Sequence, residues 1–127
     1  MIHLDANLLI ALVNKSDTHH AAAVRVIIGP GPFGTSTVAW MEFFSKPVHP
    51  NDLVALQSLL SAGIAPFEEA TAALAGHLFY LTGSKRRTRL DTMIAATAIL
   101  AGAELATVNH DDFATFVPYG LNLHHLP

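Results

Sequence analysis

Cysteine is missing altogether from this chain of 127 residues. Its absence excludes disulfides and thiolate metal sites, and it suits a reducing cytoplasm, where protein disulfides are rare. Charge is scarce as well: 13% of residues are charged, Lys and Arg number only seven, and the net charge is −3. Nucleic-acid binding driven by bulk positive charge is therefore not expected, although a local basic patch stays open. Long apolar runs are lacking too. The first, Ala6 to Val13, follows Asp5 and has no basic start, so it does not read as a signal peptide. None approaches the roughly 18–20 residues that a membrane span requires. The expectation is a soluble, cytoplasmic protein without membrane contact. Its length suits one domain, residues 1–127, with a single core.

What the chain has in quantity is apolar side chain, 51% of all residues. In a domain so lean in charge, part of the apolar surface is expected to be covered by a partner. The alternative is an alanine-rich domain of largely internal helices.

Helices alternate with short strands along the sequence. Ile2 to Leu4 reads as a strand that Asp5 ends, and Ala6 to Val13 as a helix that starts at once. Ser16-Asp17-Thr18 signals the start of a helix from Ala21 to Ile28, and Gly29-Pro30-Gly31-Pro32 stops it. Phe33 to Thr35 is a brief strand. Ser36 or Thr37 then caps a helix running to Ser45, closed by Lys46-Pro47. Asn51-Asp52 caps a helix from Leu53 to Ser61. Ile64 to Pro66 is a short strand or turn, and Glu68-Glu69 begins a helix to about Leu81. After the basic loop Thr82 to Arg87, a helix starting at Asp91 is apolar nearly all round and stops at Gly102. Glu104 to Val108 is a strand, Asn109 to Asp112 a turn, Phe113 to Phe116 a helical turn, and Leu121 to Leu123 an edge strand. This order predicts an α/β fold with a mostly parallel sheet.

The ten acidic residues sort into two groups. Asp17, Asp52, Glu68 and Glu69 are explained by helix starts, and Glu104 by a loop. Asp5, Glu42, Asp91, Asp111 and Asp112 remain, each at a strand end or on a markedly apolar helix. If several converge, their repulsion raises their proton affinity unless a cation sits among them. Oxygen-only ligands select Mg²⁺ or Mn²⁺, which can activate water and neutralise charge developing on a phosphate. Each acid also has a plainer reading: Asp5 and Asp91 as helix caps, Glu42 in an ion pair with an arginine, Asp111 and Asp112 as turn residues.

A family resemblance ties these blocks together. Asp5 and Asn7 at a strand-to-helix turn, Glu42 within Thr35-Ser36-Thr37-Val38-Ala39-Trp40-Met41-Glu42, Leu90-Asp91-Thr92-Met93-Ile94-Ala95-Ala96-Thr97-Ala98, and Ala106-Thr107-Val108-Asn109-His110-Asp111-Asp112-Phe113 together resemble the PIN-domain nucleases, specifically the VapC-type toxins. The resemblance covers essentially the whole chain. It implies a three-layer α/β/α sandwich with a short, mostly parallel sheet, and metal-dependent hydrolysis of RNA phosphodiesters. By the same resemblance Asp5, Glu42, Asp91 and Asp112 are the catalytic, metal-binding acids. Asp111 rivals Asp112 for the fourth place, and Asn109 stands where relatives vary between Asn and Asp. Toxins of this type are homodimers held inactive by a cognate antitoxin, VapB-like in this case, whose segment crosses the active-site groove.

Lys85, Arg86, Arg87 and Arg89 supply four of the seven basic residues just before Asp91. They read as a phosphate-positioning patch, or else as a solvated loop offsetting the acids. The paired histidines, His19-His20 and His124-His125, lack the spacing of one helical face and read as neutral surface groups, with His110 nearest the acids. Trp40, Phe43 and Phe44 read as packing in the core or a dimer interface rather than as base-stacking residues. The preferred reading is an endoribonuclease toxin. The alternatives are a PIN-type RNA-processing nuclease without antitoxin and a non-catalytic metal-binding module for RNA or protein. An Asp-x-Asp phosphohydrolase is weaker, because Asn7 replaces the second aspartate.

Overall fold

Five short strands and seven helices make up the computed structural model, which describes all residues 1–127. In chain order they are β1 (Ile2–Leu4), α1 (Ala6–Val13), α2 (His20–Ile27), β2 (Phe33–Ser36), α3 (Thr37–Phe43), α4 (Pro50–Leu59), β3 (Gly63–Ala65), α5 (Glu69–Leu81), α6 (Arg89–Ala101), β4 (Glu104–Ala106), α7 (His110–Ala114) and β5 (Asn122–Leu123). The strands form one sheet in the order β3-β2-β1-β4-β5, every pair parallel. Parallel neighbours cannot be joined by tight turns, so helical crossovers cover both faces.

Alternation along β1 divides the core. Ile2 and Leu4 point to one face, where they meet Leu8, Leu9 and Ala11 of α1, Ala23 and Val26 of α2, and Leu56 of α4. Leu105 of β4 points to the other, with Ala75 and Leu78 of α5, Ile94 to Ala96 and Ala98 of α6, and Phe113 and Phe116. The result is the expected three-layer α/β/α arrangement. His3, on β1 between Ile2 and Leu4, is buried at 3% exposure, and its Nδ1 has no hydrogen-bond partner. Burial, and then the N-terminal ammonium, push the His3 imidazole below the ordinary value, so the neutral form is favoured there.

The chain steps from β1 to β2 to β3 on one side, then returns to place β4 on the other flank of β1. The carboxyl ends of β1 and β4 therefore border a topological switch point, where open parallel sheets bind ligands.

Several boundaries differ from the sequence expectation, each for a local reason. Helix α2 starts at His20, one residue early, because Asp17 caps the preceding turn through His19 N–H rather than the helix. Helix α3 ends at Phe43: Phe44 and Ser45 N–H groups bond Met41 and Glu42 carbonyls, tightening the last turn before Lys46-Pro47. Helix α4 is capped by His49, whose Nδ1 accepts from Asn51 N–H, and Pro50 takes the first helical position that proline favours. A 3₁₀ turn, Arg86–Thr88, runs directly into α6, so Asp91 is the third residue of that helix and not its cap. Gly102 closes α6 as expected, at φ +65°, with Ala103 N–H reaching back to Ala98 O. Strand β4 stops at Ala106, and the Asn109–Asp112 turn begins helix α7.

Candidate active site

The β1–α1 junction is built around Asp5. Its carboxylate is 4% exposed and accepts three hydrogen bonds: from Ala6 N–H at 2.8 Å to Oδ1, and from Thr107 Oγ1 at 2.7 Å and Asn7 Nδ2 at 3.1 Å to Oδ2. Asp5 does cap α1, as the plainer reading has it, while its other oxygen accepts from Asn7 and from Thr107, just past the end of β4. Burial raises the proton affinity of Asp5, and the bonds from Thr107, Ala6 and Asn7 oppose that rise.

Glu42 arrives from the next strand over. Ser36, the last residue of β2, accepts from Ala39 N–H at 3.0 Å and starts α3, which carries Glu42 on its last turn. The adjoining Thr35 hydroxyl donates to Leu4 O at 2.6 Å, tying β2 to the end of β1. Asp91 enters on the first turn of α6, where the helix dipole favours a carboxylate.

Asp5, Asn7, Glu42, Asp91 and Asn109 line one open cleft of about 800 Å³. Glu42 holds its proton more tightly than an ordinary glutamate because of burial, then the charges of Asp5 and Asp91. Asp91 is pushed up to about 6 by burial, then by Asp5 and Asp112, against the pull of Arg87. The only ion pair within 4 Å in the protein is His124 with Glu104, so no arginine neutralises Glu42, and the ion-pair reading of that residue fails. A set of hard oxygen donors that repel one another suits a hard divalent cation. The set is open, since no three of these side chains are grouped closely enough to make a ready ligand cage.

The PIN-domain family model matches residues 2–116. The chain belongs to the PIN-domain family. No curated protein matches its sequence. Among solved structures, VapBC2 from Rickettsia felis, bound to a promoter DNA fragment, superposes with a TM-score of 0.74 at 21% identity over 100% of both chains. VapC20 from Mycobacterium tuberculosis, a sarcin–ricin loop cleaving toxin, gives 0.72 at 17% identity over 90% of this chain and 94% of that one. A toxin–antitoxin complex from Klebsiella pneumoniae gives 0.69 at 27% identity over 90% and 91%.

Within this PIN domain the sequence-selected residues fall into three groups. Asp5, Asn7, Glu42, Asp91 and Asn109 meet in the cleft. Asp111 and Asp112 line an adjoining polar cleft of about 310 Å³ with His110 and Asn109, and Asn109 belongs to both. Of these two acids, Asp112 is the one whose charge reaches Asp91. The arginines stand outside the cleft lining. Arg87 is exposed and acts on Asp91 by its charge, whereas Arg89 lies over the Phe79 ring at 5.6 Å, beside α5.

Thr107 is the residue that sequence reasoning passed over. It is fully buried, donates to Asp5, and accepts from Asn7 Nδ2 at 3.2 Å and Asn109 N–H at 3.0 Å. One hydroxyl thus ties the ends of β1 and β4 together. The available signal was a hydroxyl residue in a buried strand end, directly before the Asn109–Asp112 block.

Proposed function

We propose that this PIN domain is a metal-dependent endoribonuclease that acts in the cytoplasm as the toxin of a toxin–antitoxin pair. The observation that carries the reading is the convergence of Asp5, Glu42 and Asp91, from three separate elements, in one cleft, where burial raises the proton affinity of all three and neighbouring carboxylates raise that of Glu42 and Asp91 further. Asp5, Glu42, Asp91 and Asp112 are the residues that would hold Mg²⁺ or Mn²⁺. Such an ion, when bound, activates water and stabilises charge on the departing phosphate oxygen.

The protein's own side chains do the positioning. Thr107 and Asn7 fix the Asp5 carboxylate, leaving it little rotational freedom. Asp91, with a value near 6, gives up its proton just below neutral pH and is ionised when the site works. Arg87 supplies positive charge beside the acids for the RNA phosphates, with Arg86 next to it on the 3₁₀ turn and Arg89 set back over Phe79 as the further basic groups of the patch. Asn109, exposed between the two clefts, offers both a donor and an acceptor to the nucleotide chain.

The partner half of the proposal is supported by a separate apolar groove of about 220 Å³ between α1, α2 and α4, lined by Leu12, Val13, Val24, Ile27, Leu56 and Leu59, and by structural neighbours that are toxin–antitoxin complexes. A homodimer bound by a VapB-like antitoxin follows that reading. The test is to incubate purified protein with structured and unstructured RNA, with Mg²⁺, Mn²⁺ or EDTA, beside Asp5→Asn. Metal-dependent cleavage that the variant loses is expected. Cleavage surviving both EDTA and Asp5→Asn sinks the mechanism. Growth arrest on expression, relieved by co-expression of a short antitoxin gene if one adjoins this one, separates a toxin from an RNA-processing enzyme.

A further inference from the structure

The cleft that gathers the acids also has an apolar wall. Ile10 of α1, Met41 and Phe44 at the end of α3, and Leu90 of α6 line it together with Asp5, Glu42 and Asp91. Met41 is 56% exposed, Phe44 44% and Leu90 38%, although each is large and apolar. Phe44 is held from behind. Its ring meets Trp40 edge-on at 5.0 Å and 87°, and Phe43 at 5.4 Å and 67°. Trp40 stacks on Phe43 at 5.4 Å, and Phe43 is anchored in the core at 3% exposure. The aromatic cluster therefore begins in the core and ends at the cleft with one ring left uncovered.

Acids and an uncovered ring within one cleft make contradictory demands on most ligands. An apolar side chain alone would bring nothing to offset the carboxylates, a bare anion would leave the wall wet, and an antitoxin segment with both basic and apolar residues is the competing occupant that the test below separates. A nucleotide unit meets both, with a phosphate directed to the acids and their cation and a flat base to lay on a ring.

We propose that Phe44 is a stacking platform for the unpaired base flanking the scissile phosphate, with Met41 and Leu90 at its sides. This inference rests on the ribonuclease reading and adds the residue that positions the substrate. Stacking requires a base free of a duplex partner, so the platform also selects single-stranded segments.

The test uses the full-length protein, Mg²⁺, and a short single-stranded RNA that it cleaves, carrying 2-aminopurine at the base flanking the cleaved bond. Phe44→Ala is expected to raise KM roughly tenfold, the scale of one lost base stack, with little change in kcat. It should also abolish the quenching of 2-aminopurine on binding. Phe44→Tyr should restore both, and Phe44→Leu, apolar but without a ring, should restore neither. Each variant is checked by circular dichroism melting, and the Tyr and Leu pair still decides the matter if Phe44→Ala does not fold. Wild-type cleavage that needs Asp5, with KM and quenching unmoved in Phe44→Ala or Phe44→Leu, overturns the platform and leaves the ribonuclease standing. Loss of antitoxin neutralisation in Phe44→Ala, with RNA binding intact, assigns the wall to protein recognition and also overturns it. Failure of the wild-type protein to cleave or quench any RNA removes both readings together.

Discussion

Replacing Asp91 by Asn changes one charge and almost no volume, so it isolates the electrostatic cost of the site. The folded Asp91 carboxyl is pushed up to about 6 from 3.8. A raised folded value means that the native state binds the proton more tightly than the unfolded chain does. That contribution is fully present below pH 3.8 and is lost as the pH rises through about 6. A rise of about two units corresponds to about 3 kcal/mol. Asp91 is only half-buried, so solvent screening reduces this to about 1–2 kcal/mol. Losing a carboxylate from the first turn of α6 takes back about 0.5 kcal/mol. Asp91→Asn should therefore stabilise the metal-free protein by about 1 kcal/mol near neutral pH, or about 4 °C in Tm for a chain of this size. Urea and thermal unfolding in EDTA measure it, and the advantage should shrink steadily as the pH is lowered from about 6 to about 4. Saturating Mg²⁺ should then raise the wild-type Tm more than that of the variant, because an ion that binds only the native state stabilises it. A variant less stable than wild type in EDTA, or an advantage that persists unchanged in acid, refutes the reasoning.

Three further substitutions probe other parts of the structure. Thr107→Val removes the hydroxyl shared by Asp5, Asn7 and Asn109, and should cost about 1–3 kcal/mol in urea unfolding. Because the Thr107 bond lowers the proton affinity of Asp5, the acid limb of the pH–rate profile should also move to higher pH, with Thr107→Ser restoring it. Arg87→Ala removes the one positive charge that opposes the rise at Asp91, so the midpoint of Mg²⁺ affinity against pH should move upward. The same variant should reduce the salt dependence of RNA binding by about one unit of slope, and an unchanged slope would remove Arg87 from the phosphate path. Gly34→Ala would set a Cβ 2.8 Å from Gly63 O and 3.3 Å from Ala62 Cβ, so β2 and β3 must part. A loss of about 1–3 kcal/mol is expected, and a neutral result would contradict the register described.

Much of the fold was legible because its signals are local. The strand–Asp5–helix start, the Ser36 cap and the Gly102 stop were each readable from a few neighbouring residues, and β1, α1 and α5 lie where the sequence put them. The errors fall where two local signals compete. Asn51-Asp52 looked like a cap, but Pro50 prefers the first helical turn and moves the cap to His49. Asp91 looked like another cap, but the 3₁₀ turn feeds α6 from Arg89. The site was legible as a list of unexplained acids but not as an arrangement. The resemblance favours Asp112 over Asp111 without showing that its charge acts on Asp91, and nothing in the sequence shows that Arg89 is held by Phe79 or that Thr107 bridges two strand ends. Those depend on the β3-β2-β1-β4-β5 order, which brings residues about a hundred positions apart to one sheet edge.

Asp5 shows why a residue-by-residue choice between structural and functional roles misleads. Its Oδ1 serves the start of α1, while its Oδ2 receives Thr107 and Asn7 in the lining of the cleft. The cap needs only a side-chain oxygen, which asparagine supplies about as well as aspartate. A cation needs the charge. Asp5→Asn should therefore keep the fold and the cap but lose metal-dependent activity; its amide N–H faces the Thr107 and Asn7 donors, a cost of about 1 kcal/mol that the relief of Glu42 and Asp91 offsets in part. Asp5→Ala should lose the activity and also about 1 kcal/mol of cap, leaving the Thr107 hydroxyl without its acceptor. If the two variants are equally stable, the hydrogen bonds at Asp5 do not hold the β1–α1 junction, and its oxygens serve the site alone.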